Sequence, residues 1–191
     1  MKVELVDYTQ NGLANVILAG RNCYQSKSKN FAEDIKLAKA LVKQDHTPIE
    51  FGWTMWHISG ISRACADQLA RYRIASHSIL SQRYVNIQDI DFVHPYSVLK
   101  LAGESALAVE KAQRNFYKLL INNGISKEDA RYYMGMGFAT EMYLGCNFRE
   151  LRHILKQRLD KHAQWEVRQV AQEIYNICSE HWDWLVEDLD A

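Results

Sequence analysis

Apolar and polar positions alternate in a few short stretches of the chain, a pattern typical of half-buried β-strands. Residues 3–8, VELVDY, alternate in this way near the start. Residues 52–59, GWTMWHIS, are rich in Trp, Thr and Ile and include a leading glycine, which favours a second strand. Residues 141–146 predict a third strand.

Elsewhere apolar positions recur at steps of three and four, which predicts amphipathic helices. Within residues 31–43, for example, Ile35, Ala38 and Leu41 share one face. Helices are predicted over residues 13–24, 31–43, 61–73, 105–123, 148–159 and 162–189. The last helix has a predicted buried stripe of Val167, Val170, Ile174, Ile177, Trp182 and Leu185.

Local signals mark two helix boundaries. Gly124 follows a long amphipathic stretch and can take the left-handed conformation that commonly ends a helix. Ser126 and Asp129 have the spacing of a capping box, which predicts a new helix start. Many helices with few strands predict an α+β fold.

Composition supports one soluble globular domain over residues 1–191, with 48% hydrophobic and 24% charged residues and no low-complexity linker. Lys plus Arg equals Asp plus Glu, 23 against 23, so the chain has no overall charge that would attract nucleic acid or a membrane. Any anion site must be local. The start has no signal-peptide core and no stretch is long and apolar enough to span a bilayer, so we expect a cytoplasmic protein.

The four cysteines are scattered and form no CxxC pair, which favours reduced, mostly buried thiols. Histidines are frequent, and His162 with Glu166 share a helix face. A metal site needs three or four convergent ligands, however, and no HExxH or Cys/His cluster is present. No metal is predicted.

Chemistry is concentrated in residues 71–84, RYRIASHSILSQRY, which contain three arginines and three serines. The segment is predicted to leave a helix and enter irregular chain, where backbone N–H groups can face an anion. Arginine adds planar bidentate donors and serine a hydroxyl, so the composition suits a phosphate. A solvated charged turn would have the same composition, and composition alone leaves both interpretations open.

The order of residues in this segment resembles the signature of flavin-dependent thymidylate synthases, which is R-H-R, seven residues, S, then R-Y. Here Arg71 and Arg73 are followed by seven residues, Ser81, and Arg83 with Tyr84. Upstream, Gln68 matches a nucleotide-contacting glutamine. The loop of residues 46–50, HTPIE, resembles the flavin-contacting loop of the family, although it is one residue shorter.

The resemblance continues toward the carboxyl end. Residues 128–131, EDAR, resemble the element that supplies a phosphate-binding arginine, here Arg131. Asn147 and Arg149 match an N-x-R flavin contact, and Arg158 precedes an AQWE block at residues 163–166 as in the family. These motifs lie in the family order between residues 46 and 166, and they imply a helix-rich single domain around a small antiparallel sheet.

The resemblance implies reductive methylation of dUMP to dTMP, with methylenetetrahydrofolate as carbon donor, NADPH as reductant and FAD as hydride carrier. Arg158 is implied as the main catalytic residue because a permanent cation can stabilise charge on the pyrimidine. Ser81 is assigned to binding and ring polarisation, since no general base is placed beside it by sequence. The implied dUMP residues are Gln68, Arg71, Ser81, Gln82, Arg83, Arg131 and Arg158. The implied FAD residues are Thr47, Arg71, Tyr72, Arg73, Ile79, Asn147, Arg149, His153 and His162.

The chain departs from the family pattern on the flavin side. Tyr72 replaces the central histidine, Ile79 stands where Glu or Gln is usual, and His153 stands where asparagine is common. A tyrosine ring can stack on a flavin but cannot supply a cationic imidazole. Two alternatives therefore stay open: a divergent relative that modifies another pyrimidine nucleotide or adds another one-carbon group, and a non-catalytic nucleotide-binding protein.

The family also implies a homotetramer whose active sites lie at subunit interfaces. A chain of 191 residues has little room for three large ligands on its own, which agrees with shared sites. Small molecules are the expected partners. The cysteine-dependent type of thymidylate synthase is disfavoured, because no cysteine has a Pro-Cys-His-like context.

Overall fold

The computed structural model describes residues 1–189 as an α+β fold with one four-stranded antiparallel sheet. The strands are ordered β1-β2-β4-β3 across the sheet. Their bounds are β1 Lys2–Tyr8, β2 Trp53–Ser62, β3 Ser76–Ile79 and β4 Ala139–Asn147. The predicted fold class is confirmed.

Seven α-helices accompany the sheet among the described residues. They are α1 Gly12–Cys23, α2 Phe31–Lys43, α3 Arg63–Leu69, α4 Tyr96–Asn122, α5 Lys127–Ala130, α6 Phe148–Arg158 and α7 Trp165–Val186. Two short 3-10 helices cover Thr47–Phe51 and Arg131–Tyr133. Helix α4 has a kink at Ala102, and α7 has one at Trp182.

The chain forms two compact units, each built from three separate segments. The first unit contains Met1–Lys2, Ser59–Ala70 and Ser78–Met142. The second contains Val3–Ile58, Arg71–His77 and the described residues from 143 onward. The single-domain assignment stays a prediction.

A small apolar cluster stabilises the first unit. Ile87, Tyr117 and Ala130 are buried there, and partly buried side chains pack around them, namely Ile90, Leu120, Ile121 and Met134. The cluster joins the loop before α4 to α4 and α5. Gly124 ends this helical region with φ of +80°, the left-handed conformation predicted for it.

The second unit is organised around the fully buried ring of Phe148, the first residue of α6. A Cβ atom on Gly52 would lie 2.1 Å from this ring, and one on Gly12 would lie 2.7 Å from it. The Phe148 N–H donates to the carbonyl of Gly52 at 2.9 Å. The two glycines therefore leave the space that the aromatic ring fills, and this contact fixes where α6 begins.

Helix α6 buries one face and exposes the other, as its spacing predicts. Leu151, Ile154 and Leu155 are buried with Phe148. Arg152 is also fully buried, and its guanidinium donates to the Leu185 carbonyl and to both carboxylate oxygens of Asp188, at 2.7 and 2.9 Å. A buried charge is tolerable only when it is paired in this way.

Most predicted elements are confirmed to within a few residues, including β1, α1, α2 and α6. The capping box is also present, because the Ser126 side chain accepts from the Asp129 N–H. All four cysteines are free, and Cys65, Cys146 and Cys178 are buried as expected, while Cys23 is exposed.

Four predicted boundaries are wrong. Helix α4 begins at Tyr96, nine residues before the predicted start at residue 105, and its kink at Ala102 lies within the added part. The helix expected over residues 61–73 covers only Arg63–Leu69, since Ser62 caps it by accepting from the Cys65 N–H, and Arg71 lies beyond its end. Residues 76–79 form β3 where irregular chain was expected. The last helix begins at Trp165 because the Gln164 side chain accepts from two backbone N–H groups there, and Cys178 rather than Ile177 is buried.

We predict that Asp188→Asn lowers the free energy of unfolding by about 1–2 kcal/mol at pH 7, because the buried Arg152 loses its counter-charge and Asp188 is itself partly exposed. The hydrogen bonds from Arg152 lower the pKa of Asp188 below its usual 3.8. This stabilisation is therefore present above about pH 4 and is lost as the pH falls through the folded-state pKa. Urea unfolding of the wild type and Asp188→Asn at pH 7 and pH 3 measures this difference in the free energy of unfolding.

Glu180→Gln, which changes an exposed carboxylate on α7, is the control and should leave stability unchanged at pH 7. Equal stability of wild type and Asp188→Asn at pH 7 would contradict the assigned role of this pair.

Candidate active site

In the first unit, the segment after β3 forms a tight turn around Ser81. The Leu80 N–H donates to the Glu141 carbonyl of β4 at 3.0 Å, which fixes the start of the turn. The Ser81 carbonyl then accepts from the N–H groups of Tyr84 and Val85 at 3.2 and 3.0 Å. The Ser81 hydroxyl accepts from the Arg83 N–H at 3.3 Å. The turn thus holds Ser81 and Arg83 side by side.

Glu128 brings the two predicted phosphate arginines together. Its carboxylate accepts from the Arg83 guanidinium at 3.0 Å, and its backbone carbonyl accepts from Arg131 Nε at 3.2 Å. A second link joins the same segments, because Lys127 Nζ donates to the Tyr84 carbonyl at 2.7 Å. Two arginines 48 positions apart in sequence therefore meet at one residue.

This cluster has the chemistry of an anion site. Arg83 and Glu128 side chains are each 49% exposed, so both are within reach of a ligand from solvent. Guanidinium groups bind phosphate through paired N–H donors. The Glu128 carboxylate pairs with Arg83, so a phosphate at this guanidinium would compete with it.

Three other predicted residues lie in the first unit. Gln68 is half-buried on α3, Gln82 is half-buried in the turn, and Ile79 is half-buried at the end of β3.

In the second unit, Tyr72 is only 5% exposed and is surrounded by polar groups. Its hydroxyl donates to Gln157 Oε1 at 3.0 Å, and Gln157 Nε2 lies 3.1 Å from His153 Nε2. The Tyr72 ring packs edge-on against the His153 ring with centroids 5.8 Å apart. Arg158 Cζ lies 5.2 Å from the Tyr72 ring centroid, which is a cation–π distance.

Burial raises the pKa of Tyr72, while the charge and hydrogen bonding of Arg158 oppose this effect and the nearby Glu150 adds to it. Tyr72 is therefore a neutral phenol at physiological pH. It can donate one hydrogen bond and offer its ring face to a cation, but it cannot form an ion pair with Arg158.

A cleft of about 360 Å³ opens beside this cluster in the second unit. Asn147, Arg149 and His153 line it, as predicted for the flavin side, together with Ile74 and three carboxylates. Glu50 accepts from Arg149 Nη1 at 2.8 Å, and Asp45 lies 3.5 Å from Arg149 Nε. The hydrogen bond to Glu50 is the main cause that raises the pKa of Arg149. Arg149 is held as a fixed cation at the mouth of the cleft.

The remaining predicted flavin residues do not line this cleft. Thr47 lines a different cavity of about 460 Å³ next to α1. Arg71 and Arg73 are exposed on either side of Tyr72. His162 is exposed before α7, where its ring and its N–H both bond to Asp160 at 2.9 and 2.8 Å.

The pattern of the sequence did not identify Gln157 or the pairing role of Glu128. Gln157 lies four residues after His153 on a helix, a spacing that places both on one face and is the signal that could have found it. Glu128 has no such signal, because its contact with Arg83 spans 45 positions.

Two of the four cysteines, Cys146 and Cys178, are poorly suited to act as nucleophiles. Burial raises the pKa of Cys146 to about 12 and raises that of Cys178 as well. Residues 1–189 contain no group of three or more His, Cys, Asp or Glu side chains placed to hold a metal ion. Over the same residues, no helix has both the length and the apolar character needed to cross a membrane.

Comparison with known proteins places this arrangement in an enzyme class. Residues 4–182 match the family model described as "Thymidylate synthase complementing protein". A flavin-dependent thymidylate synthase from Geobacter sulfurreducens is 35% identical over 93% of this chain and 82% of its own. One from Pyrococcus furiosus is 33% identical over 90% of this chain and 76% of its own.

The fold agrees with a solved structure from Helicobacter pylori, the flavin-dependent thymidylate synthase ThyX complexed with FAD and dUMP. The TM-score is 0.83 over the full length of both chains at 23% sequence identity. The chain belongs to the family of flavin-dependent thymidylate synthases.

The residues of the second unit fit part of a flavin cofactor. The cleft combines an apolar side chain, Ile74, with amide, guanidinium and imidazole groups that suit a ring with a polar edge. Two of the three carboxylates in its lining, Asp45 and Glu50, are paired with Arg149. A volume of about 360 Å³ accommodates a ring system but not a whole dinucleotide. The rest of the cofactor therefore needs further surface.

We predict that Glu128→Gln tightens phosphate binding about threefold at low salt. The substitution removes the carboxylate charge that competes with phosphate for Arg83, and the ion pair that it breaks is exposed. The gain should shrink as ionic strength rises. Titration calorimetry with dUMP at two salt concentrations measures it. Glu104→Gln, an exposed carboxylate on α4, is the control. Weaker binding by Glu128→Gln would show that Glu128 orients Arg83 more than it competes with the ligand.

Proposed function

We propose that this chain catalyses the reductive methylation of dUMP to dTMP, with methylenetetrahydrofolate as carbon donor and NADPH as reductant. The observation that carries the proposal is that Arg83 and Arg131 both bond to Glu128, because this supports an anion site built from the residues of the family's nucleotide motif. Membership of the family supports the reaction.

The nucleotide is held by polar groups that recognise a phosphate monoester and a pyrimidine. Arg83 and Arg131 bind the phosphate, and Ser81 supplies a hydroxyl beside the backbone of Arg83. The remaining residues assigned to dUMP are Gln68, Arg71, Gln82 and Arg158. Ser81 also polarises the pyrimidine, a second role that we propose for it.

Arg158 is the proposed catalytic residue. Methylation at C5 requires the pyrimidine to become nucleophilic, and negative charge then develops on the ring. A guanidinium stays charged at every physiological pH and can stabilise that charge. Arg158 is partly buried beside Tyr72, so its charge acts in a less polar environment than bulk water.

When bound, FAD supplies the hydride that completes the methyl group. Asn147, Arg149 and His153 hold it in the cleft that they line. The other residues assigned to the cofactor are Thr47, Arg71, Tyr72, Arg73, Ile79 and His162. The cleft of about 360 Å³ takes only part of the cofactor, which supports sites completed by several subunits, so we propose a homotetramer with active sites at subunit interfaces, acting in the cytoplasm.

Two measurements test the reaction against its alternatives. Incubation of the purified chain with dUMP, methylenetetrahydrofolate, NADPH and FAD should yield dTMP, identified by mass. Hydroxymethyl-dUMP as the product would favour a divergent relative. The protein should also be yellow and release FAD on denaturation. A colourless protein that cannot be reconstituted with FAD would favour a non-catalytic nucleotide-binding protein.

Arg158→Ala should lower kcat strongly, by an amount equivalent to about 3–4 kcal/mol, because a charge-stabilising donor is lost in the transition state. Steady-state kinetics measures the loss. Lys161→Ala, an exposed cation three positions along the chain, is the control and should keep normal turnover. Near-normal kcat for Arg158→Ala would refute its assignment.

A further inference from the structure

The contacts around Tyr72 explain what this residue does in place of the histidine of the family motif. We propose that Tyr72 is a positioning residue for Arg158: its ring face orients the guanidinium, and its hydroxyl is locked by Gln157. The inference rests on the proposed function, because it assigns Tyr72 a role in the same reaction through Arg158.

The first argument is the geometry of the ring and the cation. Arg158 Cζ lies 5.2 Å from the ring centroid of Tyr72. An arginine side chain has many rotamers, and contact with an aromatic face selects among them. Because Arg158 ends α6 and Tyr72 lies in the segment Arg71–His77, the contact holds the guanidinium from outside its own helix.

The second argument is that the ring is itself fixed. Tyr72 is 5% exposed, its hydroxyl donates to Gln157 at 3.0 Å, and His153 packs against the ring edge. His153 and Gln157 lie on one face of α6 and contact each other at 3.1 Å. Tyr72 is therefore braced by the same helix that carries Arg158.

The third argument is chemical. The raised pKa of Tyr72 keeps the phenol neutral, so the contact does not neutralise Arg158 as a carboxylate would. The guanidinium stays oriented while its full charge remains available to the pyrimidine. A neutral aromatic ring is suited to this role, since cation–π contacts hold a cation without consuming all of its hydrogen-bond donors.

Kinetics of four variants tests the proposal. Tyr72→Phe, which keeps the ring and loses the hydroxyl, should lower kcat about fivefold. Tyr72→Leu, which removes the ring face, should lower kcat about 30-fold. KM for dUMP should change less than about threefold in both, since orientation matters most in the transition state. Gln157→Leu removes the Gln157 partner but leaves the hydrogen bonding between the Tyr72 hydroxyl and Arg158, so it should lower kcat less than Tyr72→Phe does. Combining the two should give no loss beyond that of Tyr72→Phe.

A double-mutant cycle separates positioning from packing. In an Arg158→Gln background there is no cation to orient, so Tyr72→Leu should cost less than about twofold there. Equal losses of kcat in the wild-type and Arg158→Gln backgrounds would overturn the proposal. Tyr117→Phe is the matched control, because Tyr117 is fully buried and its hydroxyl has no hydrogen-bond partner among the described residues. It should retain full kcat.

An NMR measurement tests the position of the Arg158 guanidinium over the Tyr72 ring and does not depend on enzyme activity. The Nε–H resonance of Arg158, assigned by its loss in Arg158→Gln, should be shifted upfield by the ring current of Tyr72. The shift should persist in Tyr72→Phe and Tyr117→Phe and disappear in Tyr72→Leu. An unshifted resonance in the wild-type protein would overturn the proposal. This readout also applies if Tyr72→Leu is too unstable for kinetics, because wild type and Tyr72→Phe then suffice.

The two hypotheses fail in different ways. A wild-type protein that forms no dTMP refutes the proposed function, and the ring-current shift then decides whether Tyr72 orients Arg158. A protein that forms dTMP but shows additive losses refutes the positioning role and leaves the proposed function intact.

Discussion

The packing of one aromatic ring against two glycines is the constraint on which the second unit depends. Phe148 occupies the volume that side chains at Gly12 and Gly52 would take, and no smaller ring-free residue would fill it. This contact positions the first turn of α6, which the Asn147 side chain caps by accepting from the Glu150 N–H. Arg149 and His153 lie outside the buried face of the helix, and all three residues line the cleft. The packing of one core residue thus affects which polar side chains can reach a ligand.

The two halves of the proposed chemistry differ in how tightly their side chains are held. The phosphate arginines sit on short turns near solvent and are kept in place by one exposed carboxylate and backbone carbonyls. Arg158 is held by a buried aromatic ring. A phosphate dianion attracts cations from several directions, so the positions of the phosphate-binding arginines can vary. Negative charge that develops on the pyrimidine ring needs the guanidinium at one defined position.

Sequence alone was sufficient for most of the fold because apolar spacing and capping residues act locally. The apolar residues of residues 31–43 recur with a helical period, and Ser126 and Asp129 have the spacing of a capping box. Both signals can be read without knowing which distant residues they contact. It failed at β3, since a strand of four residues has too few positions for alternation to be distinguished from a loop. The sequence analysis also extended α3 to Arg73. The helix ends at Leu69, but the apolar spacing of the sequence does not change there, and it does not change at the Ser62 cap either.

The sequence supplies candidate site residues, which stay predictions, but it does not supply their contacts. The family order names Arg83, Arg131 and Arg158, whereas the contacts of Glu128 with Arg83 and of Tyr72 with Arg158 are visible only in the structure. Contacts such as that of Arg83 with Glu128 join residues far apart in the sequence, so they produce no periodic pattern from which they could be predicted. The substitution of tyrosine for the motif histidine is visible in the sequence, but its meaning depends on Gln157 and His153, which come from a helix about 80 positions later.

On the proposed function, the pairing of Glu128 with Arg83 would make phosphate binding at this site an exchange rather than an addition. An incoming anion would compete with a carboxylate that already carries one negative charge. A phosphate monoester near neutral pH carries more than one negative charge and would gain more from that exchange than a singly charged diester. The resident carboxylate would therefore favour terminal phosphates over diesters.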